Sequence, residues 1–407
     1  MTTTSTPSIP DFHYNPMTPE MNEDPSAIYA ALREQPIFHW PMAGFYIVAR
    51  FADVMAALRN PDLTTDPVAA GHPPPEAMLP DELRRPIEHS LTRLPPEAHA
   101  RVRRAVAPSF TPRAIERLRP KIQAIVDDAL ARFVVGGVLD VPRFAGHIPL
   151  RAIATLLDIP AEHDDTFRQF GEALVRLHDP RMTPELLAAI APPALAGVAL
   201  IRDLIARRRE HLGDDLLSTL IRAKDAGDAL SDDEMVGLVA MLINGGMLTT
   251  YHFLTFSLKS LVCVPERLAA VLADRSILPN ALDEVLRHDS FGKSGTLRYV
   301  ARDTVVAGAE LPRGARVLVF FPAAYRDPAA FPDADRFDPA RKPDDNLNYG
   351  HGAHFCTGAA LARLEGEITI GTLLDRFTDF KIAGEPVWAP NPLVRELAKL
   401  DVALTPR

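Results

Sequence analysis

The stretch "YGHGAHFCTGAALARLEGE", residues 349–367, holds one of only two cysteines in the chain. Gly350, Gly352 and Gly358 bracket Cys356, and Leu361, Leu364, Ile368, Leu374 and Phe377 follow at near-helical spacing. Cys356 therefore stands where a loop becomes a helix, beside a backbone that glycines let bend closely around a partner. Free N–H groups and the positive dipole end of such a helix favour a thiolate. A structural zinc would need further Cys or His at ligand spacing, and none lies nearby. A single thiolate suits a cofactor that supplies its remaining ligands itself, as haem does. Cys263, at the end of an apolar segment, reads as a small core hydrophobe.

The 407 residues are 47% hydrophobic and 24% charged, which is enough for a core without staples, and two cysteines allow no disulfide framework. A net charge of −9 argues against a nucleic-acid partner. Residues 1–12 read as a loose tail, with neither the basic start nor the apolar run of a signal peptide. Residues 13–407 read as one domain. Helical patterns cover 26–34, 47–59, 99–107, 113–134, 149–157, 164–176, 196–211, 214–224, 232–263, 266–273 and 279–288. Beyond Leu297, short β-branched runs alternate with Gly and Pro turns, predicting small antiparallel strands. Residues 67–96 read as a long Pro-rich loop.

The segment 235–264 is apolar enough to resemble a membrane span, but Asn244, Gly245, Gly246, Thr249, Thr250 and His252 cluster at its centre. It reads better as the central helix of a large protein with no membrane attachment. Ser231–Glu234 forms a capping box at its start and Pro265 closes it. Gly245–Gly246 permits either close helix packing or the approach of a ligand to bare backbone.

These motifs, in this order, resemble the cytochrome P-450 superfamily over nearly the whole chain, with Tyr349 where an aromatic is usual. The resemblance implies a mainly α fold with a small antiparallel β region, and a haem-thiolate monooxygenase that takes Cys356 as the axial ligand of haem b (iron protoporphyrin IX). It assigns His99, Arg103, Arg298 and His354 to the haem propionates and Gly358 to the cofactor loop. Leu94 and Ala98 depart from the usual pattern just before His99. "ALDEVLRH" matches the Glu-x-x-Arg pair, Glu284 and Arg287, with Arg336 of "FPDADRFDP" as the expected third member of a structural network. In the central helix, Gly245, Gly246 and Thr249 match the oxygen-activating stretch, while Leu248 stands where an acid is usual, so the ordinary proton relay is incomplete. His252 reads as a core histidine. Substrate contacts are expected from Asn244, Met241, Leu248, Phe291, Lys293 and Val394, and from the regions 65–91 and 174–198.

With no flavin or nicotinamide domain, the resemblance implies a ferredoxin and its reductase as partners, a cytoplasmic monomer, and a small-molecule substrate in secondary metabolism. Arg101, Arg104, Arg113 and Arg363 are candidates for the ferredoxin docking patch. Hydroxylation is the default outcome. Ring closure or carbon–carbon coupling, a non-catalytic haem protein, and a cysteine hydrolase are the alternatives.

Overall fold

The computed structural model describes residues 9–177, 183–223, 230–341 and 347–407. The first eight residues of the expected tail, Lys224, and residues 178–182 of the expected substrate region lie outside it. The last residues of that tail are tied down: Asp11 bridges to His39, and the Phe12 N–H donates to the His39 carbonyl at 2.7 Å.

The described residues form two compact units: residues 1–74, 259–355 and 384–400, and residues 75–258, 356–383 and 401–407. The first is built on a five-stranded sheet in the order Phe38–Trp40, Phe45–Val48, Arg316–Val319, Thr296–Val300, Leu63–Thr64. Its pairs are antiparallel except one: Tyr46–Val48 runs parallel to Val317–Val319. Residues 47–59 therefore split, with Ile47 and Val48 in a strand and the helix starting only at Phe51. Val48, Val54, Val300, Val317 and Val319 fill the core beneath the sheet.

The second unit is helical. Its axis is the central helix, Asp232–Ser257, continued by a π-helical turn at Leu258–Val262. The expected capping box is present, with the Ser231 N–H donating to the Glu234 carboxylate at 2.8 Å and the Glu234 N–H to Ser231 Oγ at 3.1 Å. Helices Val141–Leu156, Asp81–Glu88, Asp164–Arg176 and Ala359–Arg376 pack against it. Pro184–Glu210 and Asp232–Val262 are both long and apolar enough to cross a membrane.

Three sequence expectations differ from the structure at segments that carry proline inside a helix. Residues 67–96 contain the helix Asp81–Glu88, which carries Pro86 inside it and buries Leu83 and Pro86. The helix expected from Pro149 begins at Val141, where Asp140 accepts the Arg143 N–H, and the one expected from 196 begins at Pro184 and runs through Pro192 and Pro193. Each buries an apolar face large enough to offset the missing backbone bond. Conversely, 113–134 breaks into Pro112–Glu116 and Arg119–Phe133.

Candidate functional site

Cys356 directly precedes the helix Ala359–Arg376, whose apolar face buries Leu361, Leu364 and Ile368 as the spacing predicts. The loop before it turns through Gly350 and Gly352 at φ +78° and +63°, a region open to glycine at no steric cost. Solvent reaches Cys356, yet protein surrounds the sulfur closely enough that burial pushes its thiol up. The Gly358 N–H, the Arg103 guanidinium, the Ala359 N–H and Arg363 pull the other way without overcoming it. The helix start therefore does not hold a thiolate by itself, and a metal cation at the sulfur would complete the balance.

Helix Pro96–Val106 carries His99 and Arg103 one turn apart. Arg103 donates to Thr357 Oγ1 at 3.1 Å, next to the cysteine, and His99 is buried, with burial and Arg103 together lowering its affinity for a proton. In the first unit, Arg298 is buried on its strand. It donates to Thr296 Oγ1 at 2.8 Å and the Leu297 carbonyl at 3.2 Å, and it pairs with no carboxylate among the described residues. A buried guanidinium of that kind is suited to an anionic group. His354 closes the exposed 3-10 turn Gly352–His354.

Along the central helix, Met241, Asn244, Gly245, Leu248 and Thr249 form a partly open stripe, whereas Val239 and Ile243 on the opposite face are buried. The paired glycines do different work. A Cβ on Gly246 would meet Ile153 Cδ1 at 2.6 Å, so Gly246 serves helix packing, while a Cβ on Gly245 would meet nothing within 4 Å. Thr249 donates its hydroxyl proton to the Gly245 carbonyl. His252 is fully buried, its proton affinity pushed down to about 3 by burial alone, which fits the core reading.

Lys293 is 1% exposed, its ammonium donates to the Asn391 carbonyl at 2.9 Å and its carbonyl accepts from Tyr14 Oη, so it braces the fold and offers no substrate contact. Gly292 pairs with Val394 in an isolated antiparallel bridge, with Phe291 next to it in the chain. Glu284 and Arg287 form a buried bidentate pair at 2.7 and 2.8 Å, and Arg287 also donates to the carbonyls of Tyr325, Ala334 and Arg336. Arg336 contributes only that backbone oxygen. Its side chain is 63% exposed and pairs with Asp338, while Arg341 reaches Glu284 at 3.3 Å. The side chain in the third position is Arg341, five residues further along the loop, where a turn with the Arg341 N–H donating to the Asp338 carbonyl folds the chain back. The Asp338 N–H also donates to Glu284, at 2.9 Å. Arg101 likewise differs from its expected place in a free docking patch, since it pairs with the buried Glu234.

Glu365 was missed. It is 2% exposed, and neither its Oε2 nor Thr369 Oγ1 has a hydrogen-bond partner among the described residues. The available signal was an acid one turn beyond Leu361, on the apolar face. Burial pushes its carboxyl up to about 8. The folded state thus holds a proton that the unfolded chain releases above about pH 4.5. Its stability contribution is complete below that value and is lost as pH rises toward 8. Glu365→Gln should leave stability unchanged near pH 4 relative to the native chain, and should exceed it progressively to about 3 kcal/mol at pH 7. Urea unfolding across that range reads the difference, and a constant offset would contradict it.

Residues 198–394 match the family model for cytochrome P450. The chain is 38% identical to the epothilone C/D epoxidase of Sorangium cellulosum over 98% of this chain and 96% of that protein. The chain belongs to the cytochrome P450 family. It is also 32% identical to the P450 monooxygenase PikC of Streptomyces venezuelae over 98% of this chain and 95% of the relative. The solved structure of epothilone D-bound cytochrome P450epoK superposes with a TM-score of 0.89 at 36% identity, covering 97% of this chain and all of that one. This P450 is accordingly a haem-dependent monooxygenase acting on small molecules. The residues of the second unit fit that cofactor: an accessible sulfur supported by N–H groups, Arg103 beside it, and an open glycine on the central helix.

Proposed function

We propose that this P450 hydroxylates or epoxidises a secondary metabolite of polyketide type. The observation that carries this reading is the near-complete match to relatives whose names assign them epothilone, 6-deoxyerythronolide B and mycinamicin IV. Residues 13–407 would act as one catalytic domain, a cytoplasmic monomer with no membrane attachment, supplied with electrons by a ferredoxin and its reductase. Arg104, Arg113 and Arg363 remain the candidates for that docking face.

Cys356 would hold the iron of haem b, with the Gly358 and Ala359 N–H groups bonded to the sulfur and His99, Arg103, Arg298 and His354 serving the propionates. Haem supplies the activation of dioxygen and the transfer of one oxygen atom to a C–H or C=C bond. Asn244, Met241, Leu248, Phe291 and Val394 would orient the substrate, with Gly245 leaving room beside the helix. Thr249 keeps its proton on the Gly245 carbonyl, so its oxygen is free to accept. It would hold a water or a substrate hydroxyl that brings the proton, because Leu248 carries none. The apolar Leu248 also limits how much water enters.

Turnover of a macrolactone panel with surrogate ferredoxin, reductase and labelled dioxygen tests this reading. One labelled oxygen per product is expected. An unlabelled, coupled or ring-closed product would replace the reading with oxidative coupling.

A further inference from the structure

Helix Pro96–Val106 is held from two sides. On one face, Arg103 donates to Thr357 beside Cys356. Arg101, two residues from both His99 and Arg103, points the opposite way. It grips the carboxylate of Glu234 with both terminal nitrogens, one of them at 3.4 Å. Glu234 is the third residue of the central helix, is 7% exposed, and already accepts the Ser231 N–H. Burial alone would raise its carboxyl, but the Arg101 guanidinium and Ser231 hold it below the usual carboxylate range.

The two acids beside it behave differently. Asp233 pairs with Arg202 and Asp232 with Arg209, both from helix Pro184–Glu210, and these pairs are more exposed. One helical turn therefore clamps two neighbours, and of its three acids only Glu234, the most buried, reaches the helix that carries His99 and Arg103. A bidentate fork fixes angle as well as distance. Removing Arg101 leaves the buried Glu234 carboxylate without its cation, and removing Glu234 leaves the part-exposed Arg101 without its anchor, so either change releases the fork that fixes the helix.

We propose that Glu234 is a positioning residue for the haem: through Arg101 it sets the register of helix Pro96–Val106 and so the aim of His99 and Arg103. The inference rests on the reading that haem sits on Cys356 with those two side chains at its propionates. Its signature is cofactor retention, separate from global stability.

The test uses purified holoprotein and measures haem transfer to excess apomyoglobin, the ferric–ferrous midpoint potential and the melting temperature. Glu234→Gln keeps an oxygen for the Ser231 N–H while losing the ion pair. It should release haem about 10-fold faster, the lower end of the effect expected for residues that orient metal-site partners. Arg101→Gln should match it, and the double variant should be no faster than either single one. Arg101→Lys, which keeps the charge but not the fork, should fall between. Arg202→Gln breaks the neighbouring clamp to the other helix and should lower the melting temperature without altering release. Should Glu234→Gln not fold, the Arg101 series carries the comparison alone. Native release by Glu234→Gln or Arg101→Gln, or release that follows melting temperature in Arg202→Gln as well, would overturn the inference. A native chain that takes up no haem would overturn the Cys356 reading itself, a distinct result.

Discussion

Cys356→Ala is expected to abolish the thiolate-type carbon monoxide spectrum of the reduced protein completely, and oxygenation with it. The expectation follows from how the sulfur is placed. Cys356 has two N–H groups and the Arg103 and Arg363 cations directed toward it, and it is reachable by solvent. The other thiol, Cys263, has a nearby cation in Lys259 but no N–H groups pulling its proton off, and burial, the larger effect, pushes it up to about 12, so it stays protonated. Cys356→His should retain iron through imidazole and show the corresponding shifted band, separating loss of ligand identity from loss of fold. An unaltered thiolate band in Cys356→Ala would end the haem-thiolate account.

Arg287→Leu should destabilise the first unit by about 3–5 kcal/mol, the cost of leaving one partner of a buried ion pair uncompensated. The variant strips Glu284 of its bidentate donor and leaves the carbonyls of Tyr325, Ala334 and Arg336 short of a hydrogen bond. Arg341 and the Asp338 N–H still reach Glu284, which keeps the loss from being greater. Arg336→Ala removes only an exposed side chain and should change stability by less than about 0.5 kcal/mol. Urea midpoints at constant slope measure both. Equal losses in the two variants would reinstate Arg336 as the third side chain of the network.

The contrast between Arg336 and Arg341 shows where sequence reading stops. Glu284 and Arg287 are one helical turn apart, so local geometry brings them together without help. The third cation comes from a loop, where spacing says nothing about direction, and the turn at Asp338 decides which arginine returns. Lys293 failed similarly: its position in the chain suggested a pocket, while Tyr14 and Asn391, remote in sequence, hold it inside. Glu365 was legible in principle, since an acid on an apolar helical face is a visible anomaly, but its burial depends on helices from elsewhere in the chain.

The residue pattern alone determined the cysteine loop, the capped central helix, the helical character of the chain and the His99–Arg103 and Glu284–Arg287 pairs. The capping box and the two pairs are written in separations of four residues or fewer, where backbone geometry dictates proximity, and the cysteine loop and the helices in patterns along one continuous stretch. Only the tertiary structure decided which prolines stay inside helices, which of the two central glycines is open, where Arg101 points and which arginine completes the buried network. Each of those outcomes is settled by contacts between segments far apart in the chain, whose packing outweighs local preference.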